Sequence, residues 1–281
     1  MKRYKRFFAF GCSFTHYKWA TWANILAYEL DCEFFNLGKS GAGNSFIANQ
    51  ISQADAYFNF TQEDLVVVSW TNISREDRYR DTGWITPGNI YSQHDYDENF
   101  VSNYANDTHF ALRDFSYIHF VKNLLESKTN WHFLQMCNIV NVINQWESNR
   151  RSNSDIKNIS DLYTDSLQHI VPSFYDVLWR GNIDNKWKSD WREIHPNYSD
   201  GHPTPLEHLQ YLERTIMPNI SEKTKQAVYS LQEQWRDYIR EGYKNTSIDC
   251  GLHDMPNNWV DKMHNLFRLR EEKPIPSVLY H

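Results

Sequence analysis

The chain has 281 residues, a formal net charge of −6 and 41% hydrophobic residues, enough for one large α/β domain with insertions or a domain with a helical appendage. Basic residues cluster only in Lys2-Arg3-Tyr4-Lys5-Arg6, so the concentrated basic stripe that tracks nucleic-acid phosphates is missing. No apolar stretch approaches the length of a membrane span, and Ser13, Thr15, His16 and Lys18 interrupt the run after the basic start; the expectation is a cytoplasmic protein without membrane attachment.

In chain order, residues 5–12 form a short apolar run that predicts a buried strand ending in a Gly-x-Ser turn. Trp19, Trp22, Ala23, Leu26, Ala27 and Leu30 follow a helical period. Residues 32–37 predict a second strand, 38–44 a glycine-rich loop and 45–58 a second helix. Leu65-Val66-Val67-Val68-Ser69-Trp70 is continuously apolar and β-branched, the pattern of a central strand. Residues 73–111 lack periodicity and predict a lid or binding loop. Residues 113–127 predict a helix and 131–136 a fourth strand.

Residues 140–196 read as an inserted subdomain or second lid, with a helix near 156–171. Two further helices are expected at 206–217 and 221–243, the second opened by Ser221, Glu222 and Thr224. The tail from Gly251, with Pro256, Pro274 and Pro276, is expected to be extended. Alternation of strands and helices argues for a parallel sheet covered on both faces, with a ligand site beyond the carboxyl ends of the strands.

Aromatic residues make up 16% of the chain. They either fill the core or line a cleft for sugars and other flat ligands. Cys12, Cys32, Cys137 and Cys250 are scattered without a CxxC pair and read as reduced thiols.

Four segments carry possible chemistry. In Gly11-Cys12-Ser13-Phe14-Thr15, a glycine before the serine allows a sharp turn that leaves a hydroxyl at the sheet edge; the alternative is a serine that caps the next helix. Asn36-Leu37-Gly38-Lys39-Ser40-Gly41-Ala42-Gly43-Asn44 supplies backbone N–H groups of the kind an oxyanion pocket requires. It is not a phosphate-binding P-loop, because Glu33 stands where that motif needs glycine. A Gly-x-Ser-x-Gly elbow centred on Ser40 fails at Ala42 alone, so Ser40 stays as a minor alternative nucleophile. Asn72, after the third strand, either donates its side-chain N–H to a developing oxyanion or starts a turn. In Ser199-Asp200-Gly201-His202-Pro203, an acid near a histidine can orient the imidazole while the ring takes a serine proton. His195 and His208 lie nearby, but no HExxH or other standard metal spacing is present.

Together these segments resemble the SGNH/GDSL hydrolase family over about residues 5–75 and 130–217. Ser13 matches the serine of its first signature block, Gly41 the glycine of the second, Asn72 the asparagine of the third and His202 the histidine of the last. Cys12 stands where the family has Asp, Trp70 and Ile73 where it has Gly and Asp, and Ser199 where it has the triad acid. Asp200 is one residue off that position, so the triad either uses Asp200 or reduces to a dyad with a backbone carbonyl orienting His202.

The resemblance implies a flavodoxin-like three-layer α/β/α sandwich spanning residues 1–217, with insertions at about 73–111 and 140–196, and a C-terminal helical extension and tail over 218–281. It implies ester hydrolysis through an acyl-serine, with Ser13, Asp200 and His202 catalytic and an oxyanion hole from the Ser13 and Gly41 N–H groups and the Asn72 side chain. No metal or organic cofactor is expected. The aromatic insertions, with Trp84, Tyr91, Trp179, Trp187 and Trp191, suggest an O-acetylated carbohydrate as substrate. Two other readings stay open: a binding or structural protein that keeps the fold without activity, and an acyltransferase using the same serine.

Overall fold

The structure, a computed structural model, describes residues 3–81, 83–92, 96–140, 154–181, 201–244, 268–276 and 279. In chain order the strands are β1 (Arg6–Phe10), β2 (Glu33–Asn36), β3 (Asp64–Trp70), β4 (Arg78–Arg80), β5 (Gly83–Ile85) and β6 (Asn130–Gln135). The α-helices are α1 (Trp22–Leu30), α2 (Asn44–Phe58), α3 (Glu98–Tyr104), α4 (Asp107–Glu126), α5 (Ser154–Leu162), α6 (Thr164–Leu167), α7 (Phe174–Trp179), α8 (Pro205–Arg214) and α9 (Glu222–Lys244). They fall into two compact units, each discontinuous in sequence.

The first unit comprises residues 1–16, 33–173 and 272–281. Its sheet has the order β2-β1-β3-β6, with every pair parallel. Phe7 to Phe10 and Val66 to Val68 are fully buried. Successive strand residues face opposite sides, so both faces of this sheet are covered, as its unbroken apolar runs predict. Aromatic pairs reinforce the register between β1 and β2, Phe7 stacking on Phe34 at 5.2 Å and Phe8 on Phe35 at 4.9 Å. At the amino end of the sheet Arg6 grips Asp64 with two hydrogen bonds of 2.7 Å. Helices α2 and α4 pack on each other and against the strands. The buried face of α4 is the stripe Phe110, Ala111, Asp114, Phe115, Ile118, Val121, Lys122 and Leu125.

The parallel sheet and flanking helices are the α/β fold expected. The stretch 73–111, expected to be a lid or binding loop, contains among its described residues the antiparallel hairpin β4–β5, helix α3 capped by Asp97 and the first turns of α4, capped by Asn106. The region near 156–171 splits into α5 and α6. Residues 272–276 return to β2, where the Lys273 N–H donates to the Phe34 carbonyl at 2.8 Å.

The second unit comprises residues 17–32 and 174–271 and contains α1, α7, α8 and α9. Thr21 and Asn24 form a capping box at the start of α1, and Thr204 and Glu207 form another at α8, where Pro205 fills the first helical position. Helix α8 packs against α1, α7 and α9. Phe174 stacks on Tyr211 at 3.5 Å, and Glu29 accepts hydrogen bonds from the Ser221 N–H and hydroxyl, tying the start of α9 to α1.

Among the described residues no helix is long and apolar enough to cross a membrane, and Cys12, Cys32 and Cys137 are buried free thiols. Cys250, Pro256, Trp187, Trp191, His195, Ser199 and Asp200 lie outside the described residues.

Candidate active site

The order β2-β1-β3 places the reversal of strand order between β1 and β3, and in such sheets the loops at their carboxyl ends diverge to leave a crevice. Three of the loops singled out from sequence leave this edge. The loop after β1 is a tight turn in which the Cys12 carbonyl accepts from the N–H groups of Thr15 (2.9 Å) and His16 (3.2 Å). Ser13 sits in that turn, 5% exposed. Gly11 permits the turn: a Cβ there would lie 2.1 Å from Thr15 Oγ1 and 3.0 Å from the Ser69 carbonyl.

The second loop is sewn to the first. The Lys39 N–H donates to the Gly11 carbonyl at 3.0 Å. Asn36 Nδ2 donates to the Thr15 carbonyl at 3.2 Å while its Oδ1 accepts from the Gly38 N–H at 3.1 Å, and His16 Nδ1 bonds the Gly38 carbonyl at 3.2 Å. Gly41 has φ +75°, a left-handed conformation, and lies against the Thr86 backbone. Ser40 is exposed in the adjacent turn, in the loop that joins β2 to α2.

Asn72 is half-buried and leads the third loop. Its Oδ1 accepts from the Ser74 N–H at 2.8 Å, an Asx-turn that fixes the amide plane and leaves the NH2 side of the group as its donor face. The turn reading of this residue is the one seen, and the turn orients the amide.

The structure also explains the departures from the SGNH pattern. Cys12, Trp70 and Ile73 are all fully buried. Trp70 meets Phe133 edge-on at 5.5 Å, and the Cys12 thiol lies 4.0 Å from the Met136 sulfur, which also accepts from Thr71 Oγ1 and Arg75. Where the family has a glycine or carboxylates, this chain has side chains that pack.

Beneath the loops lies a charged cluster that sequence reasoning did not single out. Asn44, at the start of α2, exchanges two hydrogen bonds with the Thr71 backbone and donates to Asp114 at 2.7 Å. Arg113 bonds Asp114 and Glu76 and donates to the carbonyls of Ile73 and Arg75. Arg75 donates to the Ala42 carbonyl at 2.9 Å, joining the third loop to the second. Asp77 caps α2 from a distance, accepting from the N–H groups of Gly43 (2.8 Å) and Phe46 (2.9 Å). The signal was present as the charged run Arg75-Glu76-Asp77 and the pair Arg113-Asp114, but their meeting is a long-range event.

Burial pushes the Asp77 carboxyl up against the pull of those two N–H groups and of Arg113 and Arg75. Asp114, fully buried, is pushed up to about 6 by desolvation, with Arg113 and Asn44 opposing. Arg113 is raised although burial works against its charge, because Asp114 and Glu76 more than offset it. The native fold thus holds a proton on Asp114 between its ordinary 3.8 and about 6, where the unfolded chain has released it. Stability falls as pH rises through that window, and above it the fold bears the full cost of an ionised buried carboxylate. Urea denaturation at several pH values should show the stability gap between wild type and Asp114→Asn narrowing or reversing as pH rises from 4 to 6; a gap independent of pH would refute the assignment.

In the second unit, His202 stacks face to face on Tyr17, ring centroids 3.7 Å apart and planes within 16°. Trp19 Nε1 donates to the Pro203 carbonyl at 2.7 Å. These contacts fix the plane of the imidazole and the backbone beside it. Tyr17 is four residues after Ser13 in the chain. Of the aromatic residues nominated for sugar binding, Trp179 is buried and bonds Glu207, Trp84 packs edge-on against Phe46, and Tyr91 bonds Asp107. Among the described residues no group of three His, Cys, Asp or Glu is placed to hold a metal ion.

No protein-family model matches the sequence, and no curated protein aligns with it significantly. Among solved structures, the chain is similar to a member of the lipolytic protein G-D-S-L family from Veillonella parvula, with 12% identity, 74% of this chain and 97% of that chain covered, and a TM-score of 0.40. It is similar to a catalytic mutant of an acetylxylan esterase from Geobacillus stearothermophilus, with 15% identity, 80% and 98% covered, and a TM-score of 0.41. A third likeness is to an α/β hydrolase from the metagenome of Lake Arreo, with 13% identity, 75% and 93% covered, and a TM-score of 0.41.

Proposed function

We propose that the chain is a serine esterase of the SGNH/GDSL type, acting through an acyl-serine intermediate. Ser13 Oγ attacks the ester carbonyl carbon while its proton passes to the His202 ring. The tetrahedral oxyanion is held by the N–H groups of Ser13 and Gly41 and by Asn72 Nδ2. Collapse expels the alcohol, which takes the proton from His202, and a water activated by the same ring then releases the acid. Asp200 is the acid that orients His202, helped by the Tyr17 stack.

The observation that carries this reading is the cross-bonded set of loops at one end of β1, β2 and β3, with a serine in a glycine-permitted turn and an asparagine amide fixed by its own Asx-turn. The substrate we favour is an O-acetylated carbohydrate. A fluorophosphonate probe should label the native chain on Ser13, identified by peptide mass spectrometry, and acetylated xylo-oligosaccharides should release acetate. A chain that stays unlabelled has an unactivated serine, and the binding-protein reading, to which the buried Cys12 and Ile73 lend weight, would replace this one.

A further inference from the structure

Strand β4 and the start of helix α3 border an open cleft of about 420 Å³, lined by Arg78, Tyr79, Arg80, Tyr96, Asp97 and Phe100, a volume typical of small-ligand sites. Its floor is rigid. Tyr96 is buried, stacks on Phe100 with centroids 4.6 Å apart, and donates its hydroxyl to the Glu76 carbonyl at 3.0 Å. Its rim is open: Tyr79 is 56% exposed, held edge-on against Trp84. An aromatic face left in water beside a cavity suits the C–H face of a sugar ring, and the phenol at its edge suits the hydroxyls.

Charge narrows the ligand further. Arg78 lies over the Phe100 ring at 5.6 Å and pairs with Glu76 at 2.8 Å, so its guanidinium is committed to the wall. Asp97 is engaged too, accepting the Phe100 N–H at 2.7 Å as the cap of α3. Arg80 is exposed and makes no ion pair among the described residues. A guanidinium offers a planar fork matched to a carboxylate.

We propose that this cleft binds an acidic sugar residue, Arg80 holding its carboxylate and Tyr79 stacking on its ring. The hairpin that carries both side chains is bonded to the glycine loop: Lys39 Nζ donates to the Trp84 carbonyl at 2.8 Å, and Thr86 Oγ1 donates to the Ser40 carbonyl at 2.9 Å. A polysaccharide gripped here is held by the same frame that positions Gly41. As a statement about substrate, an acylated acidic polysaccharide, the proposal rests on the esterase reading; as a statement about binding it does not.

The test is calorimetric titration of the full chain with trigalacturonic acid and with xylotriose, a neutral sugar of equal length. The acidic trimer should bind at least about tenfold tighter, with an affinity that falls as salt rises. Arg80→Gln should abolish that preference, and Tyr79→Ala should weaken both sugars. Equal binding of the two trimers, or a preference that survives Arg80→Gln, overturns the proposal. Ser13→Ala should keep the acidic preference intact. Binding without fluorophosphonate labelling therefore ends the esterase reading alone, and labelling without the acidic preference ends the cleft proposal alone.

Discussion

Ser13→Ala should lower turnover of a short-chain aryl ester by at least about a thousandfold, the residual rate coming from the oxyanion donors and binding. The substitution deletes one oxygen from a residue whose turn is held by backbone bonds, from Thr15 and His16 to the Cys12 carbonyl, that alanine leaves in place. Thermal unfolding should therefore move little, and the loss should appear in kcat rather than in KM. Steady-state kinetics with p-nitrophenyl acetate, beside a melting curve, make the comparison. Undiminished turnover would shift the nucleophile elsewhere, with exposed Ser40 the next residue to replace.

The second large effect is expected at Gly41. A Cβ there would stand 2.0 Å from the Thr86 carbonyl oxygen, a backbone atom, on a residue with φ +75°. Alanine then faces both an unfavourable left-handed conformation and a clash that only a main-chain shift relieves, so Gly41→Ala should destabilise the fold by about 2–4 kcal/mol. The shift would also move a proposed oxyanion donor, so activity should fall more than stability predicts, in kcat above all. Denaturant titration and kinetics on the soluble variant separate the two effects. Wild-type kcat in a destabilised variant would remove the Gly41 N–H from the mechanism while leaving its packing role intact.

Much of this architecture can be read from local pattern. The runs Phe7-Phe8-Ala9-Phe10 and Val66-Val67-Val68 become buried parallel strands because fully covered strands need no alternation. The helix expected at 206–217 is α8, Pro205–Arg214. What escaped is equally physical. Arg78-Tyr79-Arg80 has every residue exposed, so strand β4 carries no apolar signal and exists through pairing with Gly83–Ile85. The start of α4 escaped as well: Asn106 caps it and Phe110 and Ala111 begin its buried stripe, but the polar residues around them mask the period.

At the candidate site, Ser13, Gly41 and Asn72 could be nominated because each lies in a loop that follows an obvious strand. The cluster of Asn44, Asp77, Arg113 and Asp114 could not, because each acts on a partner 27 to 70 residues away. Asp200 lies outside the described residues, so its role rests on its place beside His202 in the sequence.

Among the described residues β2 is the outermost strand on its side of the sheet, and an outermost strand offers a second molecule a ready row of donors and acceptors. Here a distant stretch of the same polypeptide occupies part of that row through Lys273 and Phe34, with Glu272 beside Asn36. Part of that edge is thus covered by residues more than two hundred positions away in the sequence. Clipping the chain before Lys273 would bare the Phe34 carbonyl on that edge while leaving every residue of the strands in place.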